Sequence, residues 1–165
     1  GTDGNVKIAI DAVQAASFPH HFLAVTKQGH SAIATTSGNG DCHVILRGGK
    51  EPNYDAASID SVCQQLDTAK LPPRVMVDVS HGNSSKKPEN QPLVIADIAR
   101  RIEAGERRIS GVMVESHLKA GRQDLVPGKP LEYGQSITDG CVDWQSSVQI
   151  LEQLANAVSA RRKAS

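Results

Sequence analysis

Four side chains that can do chemistry follow short apolar runs of the sequence, at the points where strands would end. They are Arg47, His81, Glu115 and, in the loop after Glu115, Asp139. An imidazole and two carboxylates suit Mn²⁺, Fe²⁺, Co²⁺ or Zn²⁺, and three protein ligands leave room for water or a substrate. Taken singly, the histidine could be a hydrogen-bonded structural residue and the acidic residues could cap helices. Their shared position after predicted strands favours a divalent-metal site.

Arg47 opens an Arg-Gly-Gly-Lys sequence that is suited to binding an anion. The two glycines let a ligand approach the backbone, and a guanidinium binds phosphate or carboxylate through paired hydrogen bonds. Lys50 supplies a second cation nearby, although a salt bridge at the strand end is an alternative role for Arg47. The polar turn at residues 81–86 precedes a predicted helix, where anions bind readily. Capping of that helix by Ser84 or Ser85 would also explain the turn.

Alternating strand and helix patterns are expected to position these residues. Apolar residues at helical spacing predict helices, and short runs rich in valine and isoleucine predict strands. The predicted helices cover residues 6–16, 55–70, 92–104 and 144–163, and the predicted strands cover residues 20–26, 31–36, 42–46, 75–79 and 109–114. Strand followed by helix, repeated four times, predicts an α/β fold of parallel βαβ units, whose active sites lie at the carboxyl ends of the strands. An open doubly wound sheet and half of a barrel both fit this pattern.

Composition argues against several classes of protein. The 165 residues, 39% of them apolar, are typical of one globular domain, and 18 basic residues balance 18 acidic ones. This balance gives no indication of nucleic-acid binding, and no apolar stretch approaches the about 20 residues that span a bilayer. Cys42, Cys63 and Cys141 form no C-x-x-C pair. Neither a zinc knuckle nor a disulfide scaffold is expected, and a reducing, cytoplasmic setting fits best.

Four longer motifs carry a specific resemblance to a known family. They are TTSGNGDCHVILRGGK (35–50), DVSHGNSSK (78–86), GVMVESH (111–117) and YGQSITDGC (133–141). In this order they resemble the type I 3-deoxy-D-arabino-heptulosonate 7-phosphate (DAHP) synthases, which condense phosphoenolpyruvate with erythrose 4-phosphate at the start of aromatic amino-acid synthesis. The resemblance covers essentially the whole chain. It implies a (β/α)8 TIM barrel, with residues 1–165 as the C-terminal half of that single catalytic domain.

The resemblance also implies roles for individual residues. His81, Glu115 and Asp139 match three of the family's four metal ligands, and Arg47 matches an arginine that holds phosphoenolpyruvate. Arg47, His81 and Asp139 are therefore the expected catalytic residues, and Arg47 and Asp139 the expected substrate contacts. Family members are often allosterically inhibited by Phe, Tyr or Trp. Phe22 and its strand resemble part of that inhibitor site.

Other parts of the family pattern do not occur in these 165 residues. The fourth ligand, a cysteine, belongs to the family's first half, as does a lysine that directly precedes the segment matching residues 1–4. We therefore expect a longer, homo-oligomeric parent in which this chain meets the N-terminal half of the barrel, and we expect the isolated chain to be inactive. Asp3 is expected to cap the first helix. Two alternatives stay open: a related synthase of the octulosonate phosphate type, separable by arabinose 5-phosphate, and a non-catalytic module that binds metal or anions.

Overall fold

A computed structural model describes residues 4–164 of the chain. Helices and strands follow one another along these residues. In chain order they are α1 (Val6–Ala16), β1 (His21–Val25), β2 (Ser31–Thr35), β3 (Val44–Leu46), α2 (Ala56–Thr68), β4 (Val75–Asp78), a short 3-10 helix (Pro88–Asn90), α3 (Gln91–Glu103), β5 (Ile109–Met113) and α4 (Trp144–Lys163). Each helix and strand predicted from the sequence is found, and no boundary moves by more than two residues.

Polar side chains begin the helices α1, α2 and α4. Asn5, Asp55 and Asp143 each accept a hydrogen bond from the backbone N–H three residues further along. Such a cap satisfies a donor that the helix itself leaves unpaired. Asp3, the cap expected for the first helix, lies outside the described residues, and Asn5 takes that role.

The strands β3, β4 and β5 form a parallel sheet in that order, which confirms the predicted α/β class. Val44 pairs with Val75, and Val75 pairs with Ile109, so the first residues of the three strands lie side by side. The carboxyl ends of the strands therefore reach the same edge of the sheet. Val44, Leu46, Val75 and Val77 are at most 2% exposed. Short strands made almost entirely of apolar residues are typical of a parallel sheet that is covered on both faces.

Apolar helix faces pack against the sheet to form the core. The buried residues of α2 are those that its helical spacing predicted: Ile59, Val62, Cys63 and Leu66. Helix α3 adds Ile95, Ile98 and Ile102 to the same core and lies against α4. In the described part of the chain, no helix combines the length and the apolar character needed to cross a membrane.

The strands β1 and β2 form a separate antiparallel hairpin, with His21 opposite Thr35. The prediction of four parallel strand–helix units was therefore wrong: within residues 4–164, three parallel strands are each followed by a helix. The physical reason is the connection of five residues between β1 and β2, which Gly29 closes by donating to the Thr26 carbonyl. A parallel pair needs a crossover of about a dozen residues or more. Phe22, expected near an inhibitor site, lies on β1 and is 52% exposed.

Candidate active site

The carboxyl ends of the three parallel strands carry the side chains that the sequence singled out. Arg47 directly follows β3, His81 comes three residues after β4, and Glu115 two residues after β5. Asp139 arrives from the long loop after Glu115. That loop folds back against the sheet, since the Val142 N–H donates to the Glu115 carbonyl over 3.0 Å. The structure thus brings all four predicted residues to one edge of the sheet.

His81, Glu115 and Asp139 form a cluster of three potential metal ligands. One ligand atom from each lies within 4.8 Å of the other two, and His81 Nε2 is 3.3 Å from Glu115 Oε1. His81 and Glu115 are partly buried, whereas Asp139 is exposed. One nitrogen and two oxygen donors with an open side suit a divalent transition metal that also binds water or a substrate. These residues therefore fit the metal ion that the family resemblance implies.

The electrostatic environment of Glu115 also suits a cation. Burial raises the pKa of Glu115 above its usual value, because desolvation disfavours the charged carboxylate. The charges of Asp139 and Asp78 raise this pKa further, while His81 and Arg47 lower it. A positive ion among these side chains would offset both the desolvation and the repulsion between carboxylates.

A cleft of about 370 Å³ opens beside the cluster, which is within the usual size range of small-molecule sites. Its lining mixes cationic, acidic and small residues: Arg47, Gly48, Gly49, Ser80, His81, Gly82, Ser84, Lys86, Pro88, Gln91, Glu115, Asp139 and Gly140. The Arg47 side chain is 30% exposed, so a ligand in the cleft can reach its guanidinium. Lys86 lines the cleft, whereas Lys50, the second cation expected from the sequence, does not.

Two glycines hold the loops of Arg47 and His81 in backbone contact. The Gly82 N–H donates to the Arg47 carbonyl over 3.1 Å. A Cβ at Gly82 would lie 2.8 Å from the backbone carbon of Gly48, and a Cβ at Gly48 would lie 2.7 Å from the backbone nitrogen of Asn83. Gly48 also has a φ of +73°, in the left-handed region. The glycines beside these two candidate site residues therefore set the spacing between them.

Two buried polar residues that support the site were not predicted from the sequence. Asp78, at the end of β4, is 2% exposed and lies 2.8 Å from His81 Nδ1. Gln91, at the start of α3, accepts from the Glu115 N–H over 2.9 Å and donates to the Glu115 carbonyl over 3.1 Å. A charged residue next to an apolar core usually has a hydrogen-bonding partner. The position of Asp78 at the end of an apolar strand of valine and methionine was therefore the sequence signal that could have identified it.

The relatives of this chain among known proteins indicate one family. A family model, described as the DAHP synthetase I family, matches residues 1–152. The Phe-sensitive phospho-2-dehydro-3-deoxyheptonate aldolase of Escherichia coli (strain K12) is 59% identical over 162 residues, which are 98% of this chain and 46% of that relative. The tyrosine-inhibited aldolase of Schizosaccharomyces pombe (strain 972 / ATCC 24843) is 54% identical over 168 residues, which are 99% of this chain and 45% of that relative.

A solved structure agrees with this assignment. Phospho-2-dehydro-3-deoxyheptonate aldolase from Francisella tularensis SCHU S4 matches with a TM-score of 0.90 at 49% identity, over 98% of this chain and 47% of that one. The chain spans about half the length of the curated relatives it matches.

Proposed function

Because the chain belongs to the DAHP synthetase I family, we propose that it supplies the metal site and part of the substrate site of a DAHP synthase. Such an enzyme condenses phosphoenolpyruvate with erythrose 4-phosphate to give DAHP and inorganic phosphate, the first step toward the aromatic amino acids. The observation that carries this proposal is the convergence of Arg47 with His81, Glu115 and Asp139 on one cleft.

We also propose that the chain is the C-terminal half of a (β/α)8 barrel. The outer strands of its three-stranded sheet, β3 and β5, each present an edge to which a further strand can pair. The match to about half of each relative supports the same arrangement. The parent is proposed to be a cytoplasmic homo-oligomer in which the N-terminal half completes the site, and the free thiols of Cys42, Cys63 and Cys141 suit a reducing compartment.

Arg47 is the proposed anchor for phosphoenolpyruvate. A guanidinium offers paired N–H donors that match a phosphate or a carboxylate, and phosphoenolpyruvate carries both groups. The Arg47 side chain reaches the cleft from the end of β3, and Lys86 supplies a second positive charge to the same lining. Binding of a small substrate with two anionic groups is the role that this arrangement supports.

His81, Glu115 and Asp139 are the proposed ligands of a divalent ion, which is Mn²⁺, Fe²⁺, Co²⁺ or Zn²⁺. When bound, the ion would polarise the aldehyde of erythrose 4-phosphate or position a water molecule. The contribution of the chain is to present the donor atoms together, with His81 Nε2 directed at Glu115. Asp139, the exposed member of the cluster, is also proposed to contact the sugar substrate.

The proposed reaction joins carbon 3 of phosphoenolpyruvate to the aldehyde carbon of erythrose 4-phosphate. Water adds at carbon 2, and phosphate leaves by cleavage of its bond to that carbon. In this proposal Arg47 holds phosphoenolpyruvate, and His81 and Asp139, which line the same cleft, lie beside the aldehyde of erythrose 4-phosphate. Holding two reactants in register supplies much of the rate gain in such a condensation.

The full-length parent, supplied with a divalent metal, is expected to consume phosphoenolpyruvate and release phosphate only when erythrose 4-phosphate is present. Arabinose 5-phosphate should not replace it, and a preference for that sugar would reassign the protein to the octulosonate phosphate type. A parent that ignores erythrose 4-phosphate would refute the proposal. The isolated 165-residue chain is expected to be inactive, because it lacks the groups expected from the other half, and turnover by this chain alone would contradict the half-barrel arrangement.

A further inference from the structure

Asp78 is a buried carboxylate beside the cleft to which neither metal binding nor substrate binding assigns a role. Its side chain ends β4 and is 2% exposed. Oδ1 accepts from the Ser80 N–H over 2.9 Å and from the Ser80 hydroxyl over 2.5 Å. Oδ2 lies 2.8 Å from His81 Nδ1 and 3.9 Å from Arg47 Nε. The two oxygens therefore face different partners.

The contacts of Oδ1 account for the local turn, and those of Oδ2 do not. A side-chain oxygen that binds the backbone N–H two residues further along closes a tight turn, and an asparagine oxygen does so equally well. Formation of the turn therefore does not explain the contacts of Oδ2 with His81 and Arg47. His81 has a φ of +46°, an uncommon conformation for a residue with a side chain. Its imidazole is held by contacts of Nδ1 with the side chains of Asp78 and Ser80.

The hydrogen bonds around His81 select one tautomer of the imidazole. A carboxylate only accepts hydrogen bonds, so the hydrogen between Asp78 Oδ2 and His81 Nδ1 belongs to the imidazole. The Ser80 hydroxyl gives its hydrogen to Asp78 and therefore presents a lone pair to Nδ1, 2.7 Å away. With Nδ1 protonated, the lone pair of the neutral ring is on Nε2, which lies 3.3 Å from Glu115 Oε1.

We propose that Asp78 is a positioning residue that holds His81 in its Nδ1–H tautomer and thereby makes Nε2 the ligand atom. The inference rests on the proposed function, because it requires His81 to bind a metal ion. Histidines that bind metals usually donate their other N–H to a carboxylate or a carbonyl, and loss of such a partner weakens metal binding about 10- to 100-fold. Asp78 supplies that partner from the core of the sheet.

The substitution Asp78→Asn tests this role with little change in size. Asparagine keeps an oxygen for Ser80 but places an NH₂ donor beside His81 Nδ1, which favours the tautomer that carries its hydrogen on Nε2. We expect the affinity of the full-length protein for Zn²⁺, measured by competition with a chelating dye, to fall about 10- to 100-fold. The matched control is Asp97→Asn on α3, which removes a carboxylate with 23% exposure that is ion-paired with Arg101. This control should bind Zn²⁺ as the unmodified protein does.

Nitrogen-15 NMR of the unmodified Zn²⁺-loaded protein gives a second result that does not depend on how the variant folds. His81 Nε2 should show the shift of a metal-bound nitrogen, and Nδ1 should keep its hydrogen. Zn²⁺ bound through Nδ1, or undiminished Zn²⁺ affinity in Asp78→Asn, would overturn the role of Asp78 and leave the proposed function standing. Failure of the unmodified protein to bind any of Mn²⁺, Fe²⁺, Co²⁺ and Zn²⁺ would overturn the proposed metal site, and the role of Asp78 with it.

Discussion

Replacing Gly82 by alanine is expected to push the loops of Arg47 and His81 apart. The new Cβ would lie 2.8 Å from the backbone carbon of Gly48 and 3.0 Å from the backbone nitrogen of Gly49. These are backbone atoms, which cannot rotate away as a flexible side chain can. The shortest contact falls roughly 0.7 Å inside the optimal carbon–carbon separation of about 3.5 Å, so the loops must separate by a similar distance. Overpacking of this kind costs about 1–3 kcal/mol of stability.

This separation should also impair catalysis, because it moves the proposed anion-binding Arg47 away from the proposed metal ligand His81. A misplacement of about 1 Å can reduce an enzymatic rate about 100-fold. We therefore expect Gly82→Ala to lower kcat/KM for phosphoenolpyruvate by roughly 10- to 100-fold in the full-length enzyme. Urea unfolding would measure the loss of stability, and initial rates of phosphate release would measure the loss of activity.

Three other glycines separate the steric effect from the backbone effect. Gly48→Ala combines a contact of 2.7 Å with a φ of +73°, and it should cost about 2–5 kcal/mol. Gly128 has a φ of +80° with no heavy atom within 4 Å of an added Cβ, so Gly128→Ala should cost about 1–2 kcal/mol without lowering kcat/KM. Gly40 meets neither obstacle, and Gly40→Ala should be nearly neutral. Equal stability and equal kcat/KM in Gly82→Ala and Gly40→Ala would refute the steric reasoning.

Two further substitutions test one support of the site and one ion pair at the opposite, amino-terminal edge of the sheet. Gln91→Leu removes the hydrogen bonds to both backbone groups of Glu115, so the free energy of unfolding should fall by about 2–6 kcal/mol. Gln64 is exposed, and Gln64→Leu should leave this free energy unchanged. Equal values for the two variants would contradict the supporting role of Gln91. The hydrogen bond from Arg108 lowers the pKa of Glu106 from 4.5 to about 2, so the carboxylate stabilises the fold above pH 4.5 and loses that contribution as the pH falls toward 2. Glu106→Gln should lower the free energy of unfolding by on the order of 2 kcal/mol at neutral pH and make it depend less on pH between those two values. Thermal unfolding at several pH values would measure this, and an unchanged loss of stability toward low pH would argue against the ion pair.

Local patterns were sufficient to predict the helices and strands, because burial imposes a periodicity on the residues of each element. The buried residues of α2, Ile59 to Leu66, followed directly from their helical spacing. Strand pairing was a different problem, since the apolar runs of β1 and β2 resemble those of a parallel sheet. The short connection at residues 26–30 was the feature that predicts a hairpin, and connection length outweighs composition in deciding between parallel and antiparallel pairing.

Of the candidate site, only the side chains that line the cleft could be predicted from the sequence. The convergence of the residues after β3, β4 and β5 follows from parallel topology, which brings the carboxyl ends of neighbouring strands to one edge. The supports beneath them, Gln91 and Asp78, were not predicted from the sequence. Gln91 holds the backbone of a residue 24 positions later in the chain. Asp78 lies within a recognisable motif, but its function depends on which of its oxygens faces His81.

Hydrogen bonds within this chain brace the loops of Arg47 and His81 against each other. Asn83, 4% exposed, donates from its amide to the carbonyls of Leu46 and Asp78, and it accepts from the Asn53 N–H. These contacts join the ends of β3 and β4 through groups that all belong to this chain. The relative placement of the proposed anion site and the proposed metal ligands is therefore set within residues 4–164. In the proposed arrangement, the lysine and cysteine that the family resemblance assigns to the other half complete the site, so a preformed ligand cluster and the expected inactivity of the isolated chain are compatible.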